Sequence, residues 1–177
     1  RAGTQARAFF AGRRIPVWTA MCNNNVAVVY YSLHRLEDAA VLYAEAATIC
    51  REEGMLLDEA GCQANLGLVQ TELGRLDLAL QSMQRAVALF QSGDRAAAAA
   101  DCAQNLALLL SRLGRTDDAL ANLQAARQTF AVLGRNVDVA LTDLKMAALH
   151  LLAARPDVTL TCADAADACF AISDLPH

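Results

Sequence analysis

A turn sequence that recurs at one fixed spacing along the whole chain constrains its fold more than any other feature. It reads LHRLEDAA from Leu33, LGRLDLAL from Leu73, LGRTDDAL from Leu113 and AARPDVTL from Ala153. Each copy has an arginine at its third position and an acid at its fifth, and the spacing holds without insertion. Such strict internal periodicity is the signature of a repeat architecture, in which each copy places the same residues in the same surroundings.

The turn residues predict a pair of helices in each repeat. Gly74 and Gly114 can take the left-handed conformation that ends a helix, and the acid after each lies in the first turn of the next helix. His34 and Ala154 hold the same position but suit it less well. A second set of turn residues lies half a period away: Gly54, Asp94, Gly134 and Asp174. We therefore expect A helices near 17–33, 56–73, 96–113 and 136–153, and B helices near 36–52, 76–92, 116–132 and 156–172.

Composition supports an all-α class and excludes several partners. Alanine and leucine are abundant and only three residues are proline, which favours helices over a sheet. The net charge is −4 and no basic block occurs, so a nucleic acid partner is not expected. No apolar run is long enough to cross a membrane, and no signal peptide is present. We predict a reducing, cytoplasmic setting in which the cysteines stay unpaired.

The predicted domain is a single array over residues 1–177. Residues 1–14 fit the end of a preceding B helix, and the repeats follow at 15–54, 55–94, 95–134 and 135–174. The chain opens within a repeat and closes at a repeat boundary, so we expect it to be a segment of a longer protein. The fold class is an α-solenoid of antiparallel helix pairs, in which each repeat contacts its neighbours.

The repeats resemble the tetratricopeptide repeat (TPR) family. They share a small residue after an apolar one in helix A, a glycine at the inner turn, and small residues at two positions of helix B. The second repeat shows these as Leu66-Gly67, Gly74, Ala79 and Ala86. The resemblance implies a right-handed superhelix with a concave face. The 40-residue period resembles long-helix repeats of adaptor and motor-cargo proteins, and the competing class is the HEAT-type helix pair. The usual aromatic early in helix A is missing.

The cysteines are expected to pack rather than react. Cys22, Cys62 and Cys102 occupy one position of successive A helices, a helix pair apart, which is too far for a shared zinc ion. Free cysteine behaves as a small hydrophobe in such contacts. Cys50 stands where the next B helices have phenylalanine, which again indicates packing. We predict no metal and no cofactor.

No catalytic pattern is found in the sequence. His34, His150 and His177 lack a nucleophile and a carboxylate at suggestive spacing. The phosphate-binding and zinc-peptidase motifs are missing as well. We therefore do not expect an enzyme.

The resemblance places candidate binding residues on the A helices. Asn25, Asn65, Asn105 and Lys145 share the position that faces the concave groove in TPR proteins, where asparagine often holds a peptide backbone. An amide both donates and accepts, so it can pair with any peptide group. The alternative is that these asparagines orient neighbouring helices from within. The same alignment adds six residues to the groove: Asn24, Tyr31, Leu68, Gln104, Leu108 and Arg112.

The predicted function is a scaffold that binds a protein or peptide segment in this groove. Lysines that would clamp a chaperone tail are missing from the matching positions. An alternative is the regulatory arm of a fused effector, because the wording of the repeats resembles arms of bacterial signalling proteins that carry peptidase or NTPase domains. Its contacts would then be made with flanking domains of the same chain. Self-association through terminal helices is a third hypothesis.

Overall fold

The protein is described by a computed structural model that covers residues 5, 6, 9 and 15–153. From residue 15 onward the described part forms helices joined by short turns. The helices are α1 (Pro16–Ser32), α2 (Leu36–Glu52), α3 (Leu56–Glu72), α4 (Leu76–Ser92), α5 (Ala96–Arg112), α6 (Thr116–Val132) and α7 (Asn136–Leu152). They agree with the predicted A and B helices to within one residue at each end. The predicted helix at 156–172 lies outside the described residues, as does most of the predicted segment 1–14.

Each described turn is closed by one residue in the left-handed conformation. Positive φ angles occur at evenly spaced positions, half a repeat apart: His34, Gly54, Gly74, Asp94, Gly114 and Gly134. In the first turn the backbone N–H of Arg35 donates to the carbonyl of Tyr30 at 2.9 Å, and that of His34 donates to Tyr31 at 2.9 Å. This is the Schellman pattern, and it satisfies helix-end carbonyls in all six turns. The predicted positions Ala154 and Asp174 lie outside the described residues.

The recurring arginine fastens the turn to the next helix. Arg35 Nε donates to Asp38 at 2.7 Å, and Arg115 and Arg135 make the same bond, at the same distance, to the acid three residues later. The Arg35 guanidinium also lies 4.3 Å from the ring centroid of Tyr30. Exposed pairs of this kind contribute little to stability, so their main effect is to fix the direction of the turn.

Two compact units divide the chain, Arg1–Arg95 and Ala96–His177. In the first, α1 to α4 pack in sequence, each against the next, and in the second α5 to α7 do the same. Small side chains permit the close approach, because Ala27, Ala39 and Ala79 are fully buried at the contacts. At Gly67 even a Cβ atom would lie 2.6 Å from Cγ of Met83. The predicted all-α architecture of antiparallel helix pairs is confirmed.

Among the described residues, each unit has a buried carboxylate that is paired with arginine. Glu59 is 2% exposed and receives Arg51 Nε at 3.0 Å and Arg85 Nε at 3.2 Å from the helices on either side. In the second unit Asp143 is 3% exposed and receives Arg127 Nε at 2.6 Å. A buried carboxylate requires such compensation, since an unpaired charge in the interior is strongly unfavourable. None of the helices that the structure describes is long and apolar enough to span a membrane.

Candidate functional site

The predicted binding residues gather in two cavities, one in each unit. Asn24, Asn25 and Asn65 line a cavity of about 240 Å³ between α1 and α3, to which the end of α2 also contributes. Gln104, Asn105, Leu108 and Lys145 line a cavity of about 290 Å³ formed by α5, α6 and α7. Residues 40 apart hold equivalent positions in successive A helices, which is why a sequence alignment could group them.

The first-unit cavity combines amides with sulfur-bearing side chains. Besides the three asparagines it is lined by Ala20, Met21, Cys50, Met55, Leu57, Asp58, Gly61 and Cys62. Cys50 and Cys62 are 2% and 4% exposed, and the Cys62 Sγ atom lies 3.7 Å from Oδ1 of Asn24. The cavity is therefore polar where the amides line it, and its more buried part is lined by the apolar thiols.

Burial keeps the cysteine thiols neutral. Desolvation is the main cause that raises the pKa of Cys62 to about 12 and that of Cys102 to about 11. The pKa of Cys50 is raised by the same cause. All three are buried and Cys22 is half-buried, and none of these four forms a disulfide within the part of the chain that the structure describes. These positions fit the predicted packing role, because a neutral thiol is a poor nucleophile.

The second-unit cavity is more apolar than the first-unit cavity, and the Lys145 ammonium lies at its edge. Leu108, Leu123, Leu149 and Leu152 contribute aliphatic surface. Lys145 donates a hydrogen bond to the side-chain oxygen of Gln104, whose Nε2 donates to Thr142 Oγ1 at 2.9 Å. Gln104 is thus buried and bonded within the unit. Desolvation lowers the pKa of the Lys145 ammonium, while Asp101 and Asp138 oppose the change.

The three asparagines of the shared position differ from Gln104. Among the described residues, no hydrogen bond of the protein engages the side-chain amides of Asn25, Asn65 or Asn105. Asn25 is exposed and the other two are half-buried. Because these amides line the cavities and their donors and acceptors are unused, they can bond to a ligand without first breaking an internal hydrogen bond.

Three further predicted residues lie outside both cavities. Tyr31 is half-buried and donates to the carboxylate of Glu72, a bond that is the main cause of its raised pKa. Leu68 is half-buried and Arg112 is exposed on the A helices α3 and α5. The structure therefore brings seven of the ten predicted residues to the two cavities.

Sequence reasoning missed the part of each cavity that comes from B helices and turns. Cys50 and Met55 line the first cavity, and Leu123 lines the second. A signal existed for the first two, because both depart from the repeat pattern: phenylalanine follows at Phe90 and Phe130, and arginine occupies every other described turn. Within the described residues, no group of three or more His, Cys, Asp and Glu side chains is arranged to hold a metal ion.

Comparisons with solved structures show the same fold at low sequence identity. BtubC (BKLC) from P. vanneervenii has a TM-score of 0.84, with 22% identity over 92% of this chain and 67% of its own. A putative kinesin light chain from Podosopora anserina, with nearly identical TPR-like repeats, has a TM-score of 0.78, with 14% identity over 98% and 86%. A Rap protein complexed with competence and sporulation factor has a TM-score of 0.76, with 15% identity over 88% and 43%. This chain thus spans less than half of that Rap protein.

The sequence comparison is more specific. No curated protein sequence matches the chain. The profile of the tetratricopeptide repeat family, however, matches residues 18–92 and residues 62–131. Together these segments cover more than half of the chain, and they contain five of the six described turns and the position shared by Asn25, Asn65 and Asn105. The protein therefore belongs to the tetratricopeptide repeat family.

Proposed function

We propose that the protein is an interaction scaffold that binds an extended protein segment along its A helices. The observation that carries this proposal is the repeated pairing of unused amides with a cavity. Asn25 and Asn65 line the first cavity, and Asn105 lines the second. Amides can hold the backbone of a bound segment, and the apolar surface beneath them can receive its side chains.

Two of the similar structures support this class of function. The Rap protein of the same fold was solved in complex with competence and sporulation factor. The kinesin light chain relative is built from TPR-like repeats of the same fold. Extending a binding role to this chain rests on the fold and on the free amides, since the identities of 15% and 14% carry no residue-level information.

The proposal is tested by selecting ligands from a random peptide display library and measuring their affinity by fluorescence anisotropy. The triple variant N25A/N65A/N105A should bind at least about 10-fold more weakly, because each lost hydrogen bond removes about 0.5–1.5 kcal/mol. The matched control is Q84A/Q124A, which removes two exposed amides from the B helices α4 and α6. Circular dichroism should show the same helix content in all three proteins.

Two results would contradict the proposal. One is an unchanged affinity of the triple variant with helicity retained. The other is an equal loss in Q84A/Q124A, which would show that the selected peptides bind elsewhere or respond to amides in general.

A second candidate function is contact with another domain of the same polypeptide. It is favoured by exposed leucines on α7: Leu141, Leu144, Leu151 and Leu152 are 43%, 41%, 64% and 80% exposed. Apolar surface of this kind often marks an interaction site. Hydrogen exchange of α7 should then be slower in the longer polypeptide than in this chain, whereas equal exchange would argue against the contact.

A further inference from the structure

We propose that the second-unit cavity determines which segments the scaffold binds: it accepts an aliphatic side chain of the bound segment, while the Lys145 ammonium at its edge pairs with an acidic side chain of the same segment. The inference rests on the proposed function, because it names the chemical class of the segment that the A helices would hold. It concerns α5, α6 and α7, since the cavity of about 290 Å³ lies among these three helices.

Three residues of α7 that line this cavity depart from the repeat pattern. Where α7 has Lys145, the preceding A helices have asparagine. Where it has Ala148, they have valine or leucine, and where it has Leu152, they have serine, glutamate or arginine. Spacings of three and seven residues place the three side chains on one face of the helix. All three are exposed, so packing within the unit does not account for them.

The departures give α7 a hollow with an aliphatic wall. Alanine at position 148 removes the bulk that Leu108 supplies at the matching position of α5, and Leu152 adds apolar surface. Leu123 and Leu149 line the same hollow from α6 and α7. An aliphatic side chain that enters it leaves water and contacts apolar atoms, which is the main favourable contribution to binding in such cavities.

The Lys145 ammonium has no carboxylate partner in the part of the chain that the structure describes. Its hydrogen bond goes to the neutral side chain of Gln104. The two acids that act on it electrostatically are both held by Arg135, whose Nη1 lies 3.5 Å from Asp101 Oδ2 and whose Nε lies 2.7 Å from Asp138 Oδ2. Desolvation lowers the pKa of this ammonium, so a carboxylate brought by a ligand would compensate a charge that the unit leaves uncompensated.

The side chain at this position therefore sets the preferred ligand group. An asparagine amide both donates and accepts and can pair with any peptide group, whereas an ammonium only donates and favours a carboxylate. Asn105 lines the same cavity and can hold the backbone of the segment. In an extended segment, residues two apart point to the same side. We thus expect Asp or Glu two residues from Leu, Ile, Val or Met.

The first experiment uses the full chain and its variant K145N, each to select ligands from a random peptide display library. The variant carries the amide of the matching positions Asn25, Asn65 and Asn105. The wild type should enrich the acidic and aliphatic pair, and K145N should enrich no acid. Selected peptides are then made with amidated C-termini, so that any carboxylate comes from a side chain. Replacing the acid by its amide, Glu→Gln, should weaken binding to the wild type about 5-fold and leave binding to K145N unchanged.

Further variants test the cavity and the charge separately. A148L carries the residue of the matching Leu108, fills the hollow and should weaken binding about 10-fold. K145E should bind a Glu→Lys peptide within about 3-fold of the affinity of the wild-type pair, because the two charges are exchanged. The matched controls are R75Q and A88L, which change an exposed cation just before α4 and an exposed alanine within it. Both should keep the wild-type affinity.

A direct measurement uses the fact that Lys145 is the only lysine of the chain. Reductive methylation with ¹³C-formaldehyde therefore gives one ε-dimethylamino signal, apart from that of the terminal amine, and keeps the positive charge. The signal should shift on addition of the Glu peptide and stay in place with the Gln peptide. A signal that neither peptide moves would overturn the inference.

Other results would overturn it as well. One is a Glu→Gln peptide that binds the wild type as tightly as its parent, and another is an equal loss in R75Q or A88L. A wild-type selection that returns aliphatic residues without acids would show that the cavity is an apolar docking surface alone. The proposed function is judged separately: if N25A/N65A/N105A weakens binding and K145N does not, the scaffold role stands and the role of Lys145 fails.

Discussion

The two units share a backbone plan but fill it differently. At one pair of matching positions the first unit has Cys50 and Cys62, and the second has Phe130 and Thr142. All four are buried, with Phe130 and Thr142 at 0% exposure. The small pair leaves room for a cavity beside it, whereas the cavity of the second unit lies nearer the C-terminal ends of α5 and α7. A repeated fold therefore fixes where helices lie, and large-to-small changes at single positions decide where cavities form.

The two units also differ in how they compensate a buried carboxylate. Glu59 is held by two arginines from two helices, so both of its oxygens have charged donors. Asp143 is held by Arg127 through Oδ1, and in the part of the chain that the structure describes its Oδ2 is buried without a hydrogen-bond partner. The first unit thus compensates its buried charge more completely than the second.

Truncation at the phenylalanine position should give the largest difference between the units. F130A is expected to lower the free energy of unfolding by about 3–5 kcal/mol, because it empties a fully enclosed site. C50A removes one sulfur atom beside an existing cavity and should lower it by about 1 kcal/mol. Urea denaturation followed by circular dichroism measures both. Equal losses would show that the cavity in the first unit is not preformed.

Neutralising the buried acids should cause the next-largest loss in the free energy of unfolding. E59Q loses charge-assisted bonds to two guanidinium groups, and we expect a loss of about 2 kcal/mol. D143N keeps the shape, loses one such bond and relieves an unpaired charged oxygen, so about 1 kcal/mol is expected. Denaturant midpoints at neutral pH give the comparison. If D143N were the more damaging change, the second arginine at Glu59 would contribute little.

Alkaline pH should weaken the first unit more than the second. The pKa of Cys62 is raised to about 12, that of Cys50 is also raised, and that of Cys102 is raised to about 11. Unfolded thiols ionise near pH 8.5–9, so above this range the unfolded state binds fewer protons and stability falls as pH rises. At pH 10 the thiols of Cys62 and Cys102 should each cost about 1.5–2 kcal/mol. C50A/C62A should flatten the decrease of the melting temperature between pH 7 and pH 10 about twice as much as C102A.

The turns should give the smallest effects, with opposite signs at glycine and at non-glycine positions. His34 and Asp94 hold two of the four left-handed positions in the first unit, while glycine holds both described ones, Gly114 and Gly134, in the second. G114A should cost about 1 kcal/mol from backbone strain alone, because a Cβ there would meet no atom within 4 Å. H34G should stabilise by about 0.5 kcal/mol, since relief of strain is partly offset by the entropy of glycine in the unfolded chain. Melting temperatures that move in the same direction would contradict this account.

More of the fold than of the candidate site could be predicted from the sequence. Turn residues such as Gly74 and Gly114 report backbone conformation locally, so the helix bounds followed from their spacing alone. The position shared by Asn25, Asn65 and Asn105 could be recognised from the period of the repeats and from the family resemblance. The contribution of Cys50 and Leu123 to the cavities depends on how a B helix packs against the next A helix, which no local pattern encodes. The bonds of Gln104 to Thr142 and Lys145 are likewise set by side-chain packing between helices.

Over residues 16–152 the helices have equal length and are joined by short turns of one backbone conformation, so this part of the chain should tolerate small insertions poorly. One added residue inside a helix would rotate everything beyond it by about 100° about the helix axis and turn buried alanines toward solvent. An added residue in a turn would displace the left-handed position that closes it. Natural length variation among homologues of this chain should therefore occur in whole repeats, through gain or loss of complete hairpins. Homologous sequences should therefore differ by substitutions and by the number of repeats, and rarely by short gaps.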